Sequence, residues 1–386
     1  MKRKLIKNLL LVLTLVVLCL AVGVTASAET WDGYVYDVLE NGTVEITEYI
    51  GDDAEVIIPS EIDGMRVAEI SFFSFENNIT MEKVFVPSCV EYIDFGAFYG
   101  CYKLEKIEVD PNNNNYSSDE EGVLFDKEKK SLIQYPNGKK DRKYIVPEGV
   151  KIICEGSFGG LLDLEELVLP DSLEIIEEQA INACLAITEI RVPSNVKSIE
   201  DLAFCYSMYI ERIYIESNDV AFGEYIPLSI GNVRMRISQE EFINLVKSYA
   251  FEKDEDKKNQ KFRKILDYVI YEDVTIYPTI YCHENSTTET YIKEKSIEDP
   301  KNYTFSYNLT HFYEDEWTYD YDNLVRYRKC IHCDELETEA IEPEIPTEPE
   351  TPEKPEVTPN KKENFYIGLF EVIKAFFELL ERLFSK

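Results

Sequence analysis

The residues with the widest chemical reach stand near the C-terminal end: Cys330-Ile331-His332-Cys333, preceded by His311 and Trp317. Two thiolates three positions apart can share one tetrahedral ion. With a histidine as third ligand, His311, Cys330 and Cys333 form a candidate zinc set. A second Cys-x-x-Cys is missing, and His332, between the thiols, is badly placed to bind the ion they would hold. The pair fits a disulfide or free thiols as well, and spacing alone leaves all three open. Redox exchange is disfavoured, because no thioredoxin-like βαβ pattern surrounds the pair. The chain has no nucleophile elbow, His-Glu-x-x-His or phosphate loop; Gly156-Ser157-Phe158-Gly159 lacks the G-x-S-x-G spacing. The polar stretch Asp110 to Gly122 does not match an EF-hand loop. With three histidines in all, general-base chemistry has few candidates. The expectation is a non-enzyme with no catalytic residues and no cofactor, zinc at Cys330/Cys333 being the exception left open.

The elements that would position any functional group are repeats. Counted from Pro193, apolar residues fall at +3, +6, +17 and +20 (Val196, Ile199, Ile210, Ile213), with Ala203-Phe204 at +10 and +11. Pro170 starts the same series: Leu173, Ile176, Ala180-Ile181, Ile187, Ile190. So do Pro147 (Val150, Ile153, Ser157-Phe158, Leu164, Leu167) and Pro87 (Val90, Ile93, Ala97-Phe98, Leu104, Ile107). Pro147, Pro170 and Pro193 follow one another 23 residues apart. A fixed period of this length means a solenoid, whose copies cannot bury a core alone. At position +14, Cys101 and Cys184 alternate with Ser207 and Leu161, so these cysteines are expected to be core thiols.

Residues 1–28 read as a secretory signal: a basic start (Lys2, Arg3, Lys4, Lys7), an apolar run from Leu9 to Val24, and Ala26-Ser27-Ala28 as cleavage site. The chain holds 40 basic and 74 acidic residues, and loss of the four basic residues in the leader takes its charge from −34 to −38. Such a charge excludes nucleic acid and anionic membrane surfaces as partners of the body of the protein. The remaining eight cysteines are an even number, which an exported protein can use for disulfides, but the sequence does not give a connectivity.

The expected organisation is an N-terminal cap over 29–55, a solenoid over 56–301 with insertions near 112–143 and 217–271, a Cys-x-x-Cys module over 302–341, a Pro/Glu-rich linker over 342–362 and an amphipathic helix over 363–386. In the first insertion, Gly122-Val123-Leu124-Phe125 and Leu132 to Gly138 predict two short strands around a polar turn. Ser238 and Glu241 predict a capping box, opening a helix with Phe242, Leu245, Val246 and Tyr249 on one face. Val274 to Tyr277 reads as a strand-like rung, and Ser286 to Lys295 as a short helix.

The fullest copy, Val84 to Ile107, resembles the BspA-like family of bacterial leucine-rich repeat proteins, whose pattern is I-x-[IV]-P-x-x-[VL]-x-x-I-x-x-x-A-F-x-x-C-x-x-L-x-x-I. Ile58-Pro59-Ser60-Glu61-Ile62-Asp63-Gly64, Gly122 to Phe125 and Tyr135-Pro136 carry the same resemblance, which covers roughly residues 42–295. It implies a right-handed leucine-rich repeat solenoid of stacked short parallel strands with an irregular or short-helical convex side. It also implies a secreted or cell-surface protein of a host-associated bacterium that adheres to host or bacterial surfaces, and it brings no catalytic residues. Cys282-His283 departs from the family pattern and is not read as a site.

Each copy is expected to supply one strand, Leu-x-x-Ile-x-Val-Pro, whose outward positions form a sheet face. Phe85, Glu108, Ile145, Val168, Arg191 and Tyr214 line that face, beside a column of Lys83, Lys106, Lys143, Glu166, Glu189 and Arg212. Aromatic and basic residues together make it the candidate binding surface, for a protein or glycan partner. The competing expectation is a structural cell-envelope protein without a diffusible ligand; a zinc-dependent enzyme stands behind both. The terminal segment puts Tyr366, Leu369, Phe370, Ile373, Phe376, Phe377, Leu380, Leu383 and Phe384 on one helical face, suited to its own copy, a protein partner or a membrane surface.

Overall fold

The proline that opens each copy has no N–H to give to a ladder, so the strand before it stops there. Its carbonyl then accepts the N–H three residues on, as in Leu173 to Pro170 (3.0 Å) and Val196 to Pro193 (3.2 Å), turning the chain toward a second strand. The computed structural model describes residues 29–223, 231–235, 238–250, 257–258, 261, 269–276, 278–298, 306–310, 312, 318–320, 325–331 and 335–340. The leader, His311, Trp317, His332, Cys333, the linker and the terminal amphipathic segment lie outside the described residues.

Each copy supplies two strands, not the one expected. The first set makes a main sheet of parallel ladders: Glu55–Ile57, Lys83–Val86 and Lys106–Val109; then Lys143–Ile145 and Glu166–Val168; then Glu189–Val192, Arg212–Ile215, Thr279–Cys282 and Ser306–Leu309. The second set is only two residues long per copy (Ile152–Ile153, Ile175–Ile176, Ser198–Ile199, Ala221–Phe222) and stacks in parallel into a second sheet. These were invisible to a strand pattern because two residues show no alternation. Cα partners are offset by 23 residues, as in Tyr144 with Leu167 and Ile176 with Ile199. That offset is the sequence period turned into register.

All the apolar repeat positions named above are buried, and together they fill the space between the sheets and the Ala-Phe turns. At about 1.5–3 kcal/mol for a fully buried Ile, Leu or Phe, a rung's stability comes from neighbours that cover its faces. The +14 position has a polar duty as well. Cys101 Sγ, Cys184 Sγ and Ser207 Oγ donate to the carbonyls of Phe75, Phe158 and Ile181 in the rung before (2.9, 3.0 and 2.7 Å), the last two at +11 and Phe75 their counterpart in a longer copy. Burial pushes the Cys101 and Cys184 thiols up to about 12, so they act as hydrogen-bond donors in the core.

Antiparallel strands Glu29–Trp31, Tyr34–Val38 and Val44–Tyr49 cap the N-terminal end, the last pairing in parallel with Met65–Ile70. The first insertion folds as three antiparallel strands, Tyr116–Ser118, Leu124–Asp126 and Ser131–Gln134, the third joining the second sheet beside Ile152–Ile153. Side chains alternate along these strands. Leu124 and Ile133 pack into the N-terminal core cluster; Val123, Phe125 and Leu132 pack into the C-terminal one. The insertion is a wall between two halves of the solenoid.

In the second insertion, Ser238 Oγ accepts the Glu241 N–H (3.3 Å) and Glu241 accepts the Ser238 N–H (3.1 Å), the predicted capping box of α1 (Gln239–Ala250). Phe242, Val246 and Tyr249 bury against Tyr102, Leu162 and Leu185, with Met208 and Tyr209 beside them. Of the expected rung Val274 to Tyr277, Tyr277 lies outside the described residues and the rest does not form the next rung. Residues Val269–Ile276 pair antiparallel with Gly231–Met235, and the rung is Thr279–Cys282. Helix α2 (Thr287–Glu298) follows, capped by Ser286 and Glu289. Strands Thr318–Asp320, Val325–Lys329 and Leu336–Ala340 form a separate antiparallel sheet.

Candidate functional site

The main sheet presents its odd positions outward because the residues between them are buried, so the six candidate side chains share one face. They come together as direct neighbours in three pairs: Phe85 beside Glu108, Ile145 beside Val168, Arg191 beside Tyr214. The first and second pairs belong to separate ladders. Between them the Ile107 N–H donates to Gly122 O (3.0 Å), and a Cβ on Gly122 would lie 2.8 Å from Lys106 Cα, so the insertion occupies that rung.

Two residues on this face were missed by sequence reasoning. Ile57 precedes Phe85 in the ladder and is 71 % exposed, with Ile145 60 % exposed further along. Tyr281 follows Tyr214 and stacks on it, ring centroids 4.5 Å apart and planes 19° from parallel. The Arg191 guanidinium sits 5.1 Å from the Tyr214 centroid on the preceding rung, in cation–π range. The signal for Tyr281 was present in Thr279-Ile280-Tyr281-Cys282, which copies Arg212-Ile213-Tyr214-Ile215.

The basic column does not offer positive charge, because acids on the same face neutralise it. Glu108 takes Lys83 at 2.7 Å and Lys106 at 2.9 Å, Glu166 takes Lys143 at 2.6 Å, Glu189 takes Arg212 at 2.9 Å, and Glu216 takes Arg191. The two ammonium groups hold the Glu108 carboxyl below its ordinary range. On the second sheet Glu174 bridges Lys151 and Lys197, and these two bonds pull its carboxyl down to about 2. What remains outward on the main sheet is a run of aliphatic and aromatic surface between satisfied ion pairs.

A cleft of about 770 Å³ lies between α1 and the rungs beside it, with Lys140, Arg142, Asp163, Glu165 and Lys247 in its walls. Its charges also pair internally, Lys247 and Lys140 with Asp163 and Arg142 with Glu165.

Of the candidate zinc set, Cys330 is buried just after the strand Val325–Lys329, its N–H donating to Glu335 O (2.9 Å); His311 and Cys333 are outside the described residues. No group of three His, Cys, Asp or Glu side chains suited to a metal occurs among the described residues. No helix among them is long and apolar enough to cross a membrane.

The BspA type leucine rich repeat region matches residues 54–123 and 135–258, in six copies. Among solved structures, the chain is similar to a leucine-rich repeat protein from Eubacterium ventriosum (18 % identity over 49 % of this chain and 72 % of that one, TM-score 0.37). It is also similar to the pneumococcal vaccine antigen PcpA (22 %, 65 % and 61 %, TM-score 0.39). A third is a leucine-rich repeat protein from Bacteroides ovatus (22 %, 52 % and 56 %, TM-score 0.34). No curated protein matches the chain.

Proposed function

The chain belongs to the BspA-type leucine-rich repeat family, and on that premise we propose that it is a non-catalytic binding protein, secreted or held at a cell surface, whose main sheet face engages a macromolecule. The observation that carries this reading is the Arg191–Tyr214–Tyr281 ladder, in line with the exposed side chains of Ile57 and Ile145. Water-facing sheet positions in a repeat are free to be polar, and a row of aromatic and aliphatic side chains there leaves apolar surface that a partner would cover. Tyr and Arg are also among the side chains that most often anchor interfaces, Tyr burying much area with few rotors and Arg offering a planar fork of donors. A stacked pair of tyrosines suits the flat faces of a glycan or the side chains of a folded protein. The leader expected from the sequence of residues 1–28 and the solenoid together support an adhesive role toward host or bacterial surfaces.

The test is binding of the purified chain to arrays of matrix proteins, mucins and glycans, beside a Phe85→Ala/Arg191→Ala/Tyr214→Ala/Tyr281→Ala variant. Saturable binding that weakens at least tenfold in a variant of unchanged thermal stability supports the reading. Binding undiminished in the variant, or none across the panel, overturns it.

A further inference from the structure

The second sheet turns toward the Ala-Phe corner at positions +7 and +8, and every rung makes that corner with the same bond. The N–H of Asp94, Cys154, Glu177 and Glu200 donates to Ile70, Leu132, Ile153 and Ile176 O at 2.8, 3.0, 3.0 and 2.9 Å. The residues so aligned are Ser71-Phe72-Phe73, Asp94-Phe95, Cys154-Glu155, Glu177-Glu178 and Glu200-Asp201. None is basic.

At the N-terminal end of this strip three phenylalanines form a platform. Phe72 and Phe73 stack at 3.8 Å between centroids, and Phe95 lies 5.3 Å from Phe72 and 5.7 Å from Phe73. Phe72 is 47 % exposed, and the neighbouring Tyr92 is 50 % exposed. The platform is built into the backbone. Gly96 and Gly156 have φ of +62° and +63°, and a Cβ on either would come 2.3 Å from the rings of Phe73 and Phe95. Toward the C-terminal end the strip becomes a row of half-buried carboxylates. Burial first, then Glu178, Glu177, Asp94 and Glu200, raise the Glu155 carboxyl; burial and Glu177 raise that of Glu200. The charges facing these acids are other acids.

We propose that this corner is a second interaction surface, which docks an extended Lys/Arg-rich segment of a protein partner. Phenylalanine faces attract guanidinium and ammonium groups, more so when partly desolvated. The half-buried carboxylates of Glu155, Glu177, Glu178 and Glu200 next to them have no ion pair with a cation among the described residues, and such a segment brings the counter-charge. At ~4.8 Å a rung, five corners span roughly 20 Å or more, since the strand Ser131–Gln134 stands before that of Cys154, and this is far more than a small amine needs. A second copy of this chain, with net charge −34, brings an excess of the wrong sign. The inference does not depend on the main sheet reading.

A fluorescein-labelled nona-arginine peptide titrated into the full chain by anisotropy, with salt varied, tests it. Three variants run beside the parent: Phe72→Ala/Phe95→Ala, Glu155→Gln/Glu178→Gln/Glu200→Gln, and a charge-matched Glu40→Gln/Glu61→Gln/Glu128→Gln set at exposed sites elsewhere. We expect the two corner variants each to weaken binding by about tenfold and the matched set by less than about twofold. Equal loss in the two glutamine sets would reduce the binding to general polyanion attraction and overturn the proposal. Unchanged binding in the phenylalanine variant would overturn it too. So would terbium luminescence showing that a multivalent metal ion binds the parent but not the corner glutamine variant, which would make the row a metal site. The four-residue main sheet variant should bind the peptide as the parent does, so the two readings fail separately.

Discussion

The main sheet and the second-sheet corner are built by the same 23-residue register, yet they handle charge in opposite ways. On the main sheet, Lys143 meets Glu166 and Glu189 meets Arg212 one rung apart, and the like pair Lys83 and Lys106 shares Glu108, so every cation of the column has an acid beside it. The like pair Glu166 and Glu189 is flanked by those two cations. At the corner, Glu155 stands a period before Glu178, and Glu177 a period before Glu200, with no cation at the aligned positions. A repeat multiplies whatever a position carries. Mixed signs give a self-neutralised ladder, and identical signs give a field that only something from outside can neutralise.

The sharpest way to break this contrast is at the corner's backbone. Gly156→Ala places a Cβ at positive φ against the Phe95 ring, and should cost about 1–3 kcal/mol while dislodging the aromatic platform. Urea denaturation would give the loss, and nona-arginine binding should fall with it while binding by the main sheet persists.

Acid should separate the two regions next. Glu174 has a folded pKa near 2, below its ordinary 4.5, so its stabilisation is complete above about 4.5 and disappears as pH falls toward 2. Glu155 and Glu200 have raised values. They bind protons more tightly folded than unfolded, so their penalty is present at neutral pH and lifts as they protonate on the acid side. Thermal melts should therefore show Tm rising by a degree or two from pH 7 to about 5 and falling steeply below about 4.5. A monotonic fall from neutrality would erase the predicted opposition.

Single neutralisations give the smallest effects and the cleanest signs. Glu155→Gln should raise the urea midpoint at pH 7 slightly and Glu174→Gln should lower it.

Much of this architecture was legible before any coordinates. Val150, Ile153, Phe158, Leu164 and Leu167 announce their burial because a strict period leaves one environment for each position. The duty of Cys101 and Cys184 showed in their exchange with Ser207. The +15 column, Tyr102, Leu162, Leu185 and Met208, was not legible. Its cover is α1, from outside the repeat, joined by contacts as distant in sequence as Lys247 to Asp163. The corner was missed for a different reason. Among 74 acidic residues, single carboxylates carry no signal. Only comparing signs one period apart, Glu177 with Glu200 against Glu174 with Lys197, picks out a row in which like charge follows like. Of the six proposed face residues, register alone placed all on one side, but the wall at Gly122 that divides them needed three dimensions.

That wall gives the molecule a mechanical property. Tension applied to a stack of rungs strips the end rung first, because each coil is held mainly by the next. Peeling that begins at the N-terminal cap meets, at Leu124 and Ile133, strands already tied to each other antiparallel and anchored through Phe125 and Leu132 in the far core. Peeling is expected to stall there, so that the rungs bearing Arg191, Tyr214 and Tyr281 stay folded after the front half has unravelled.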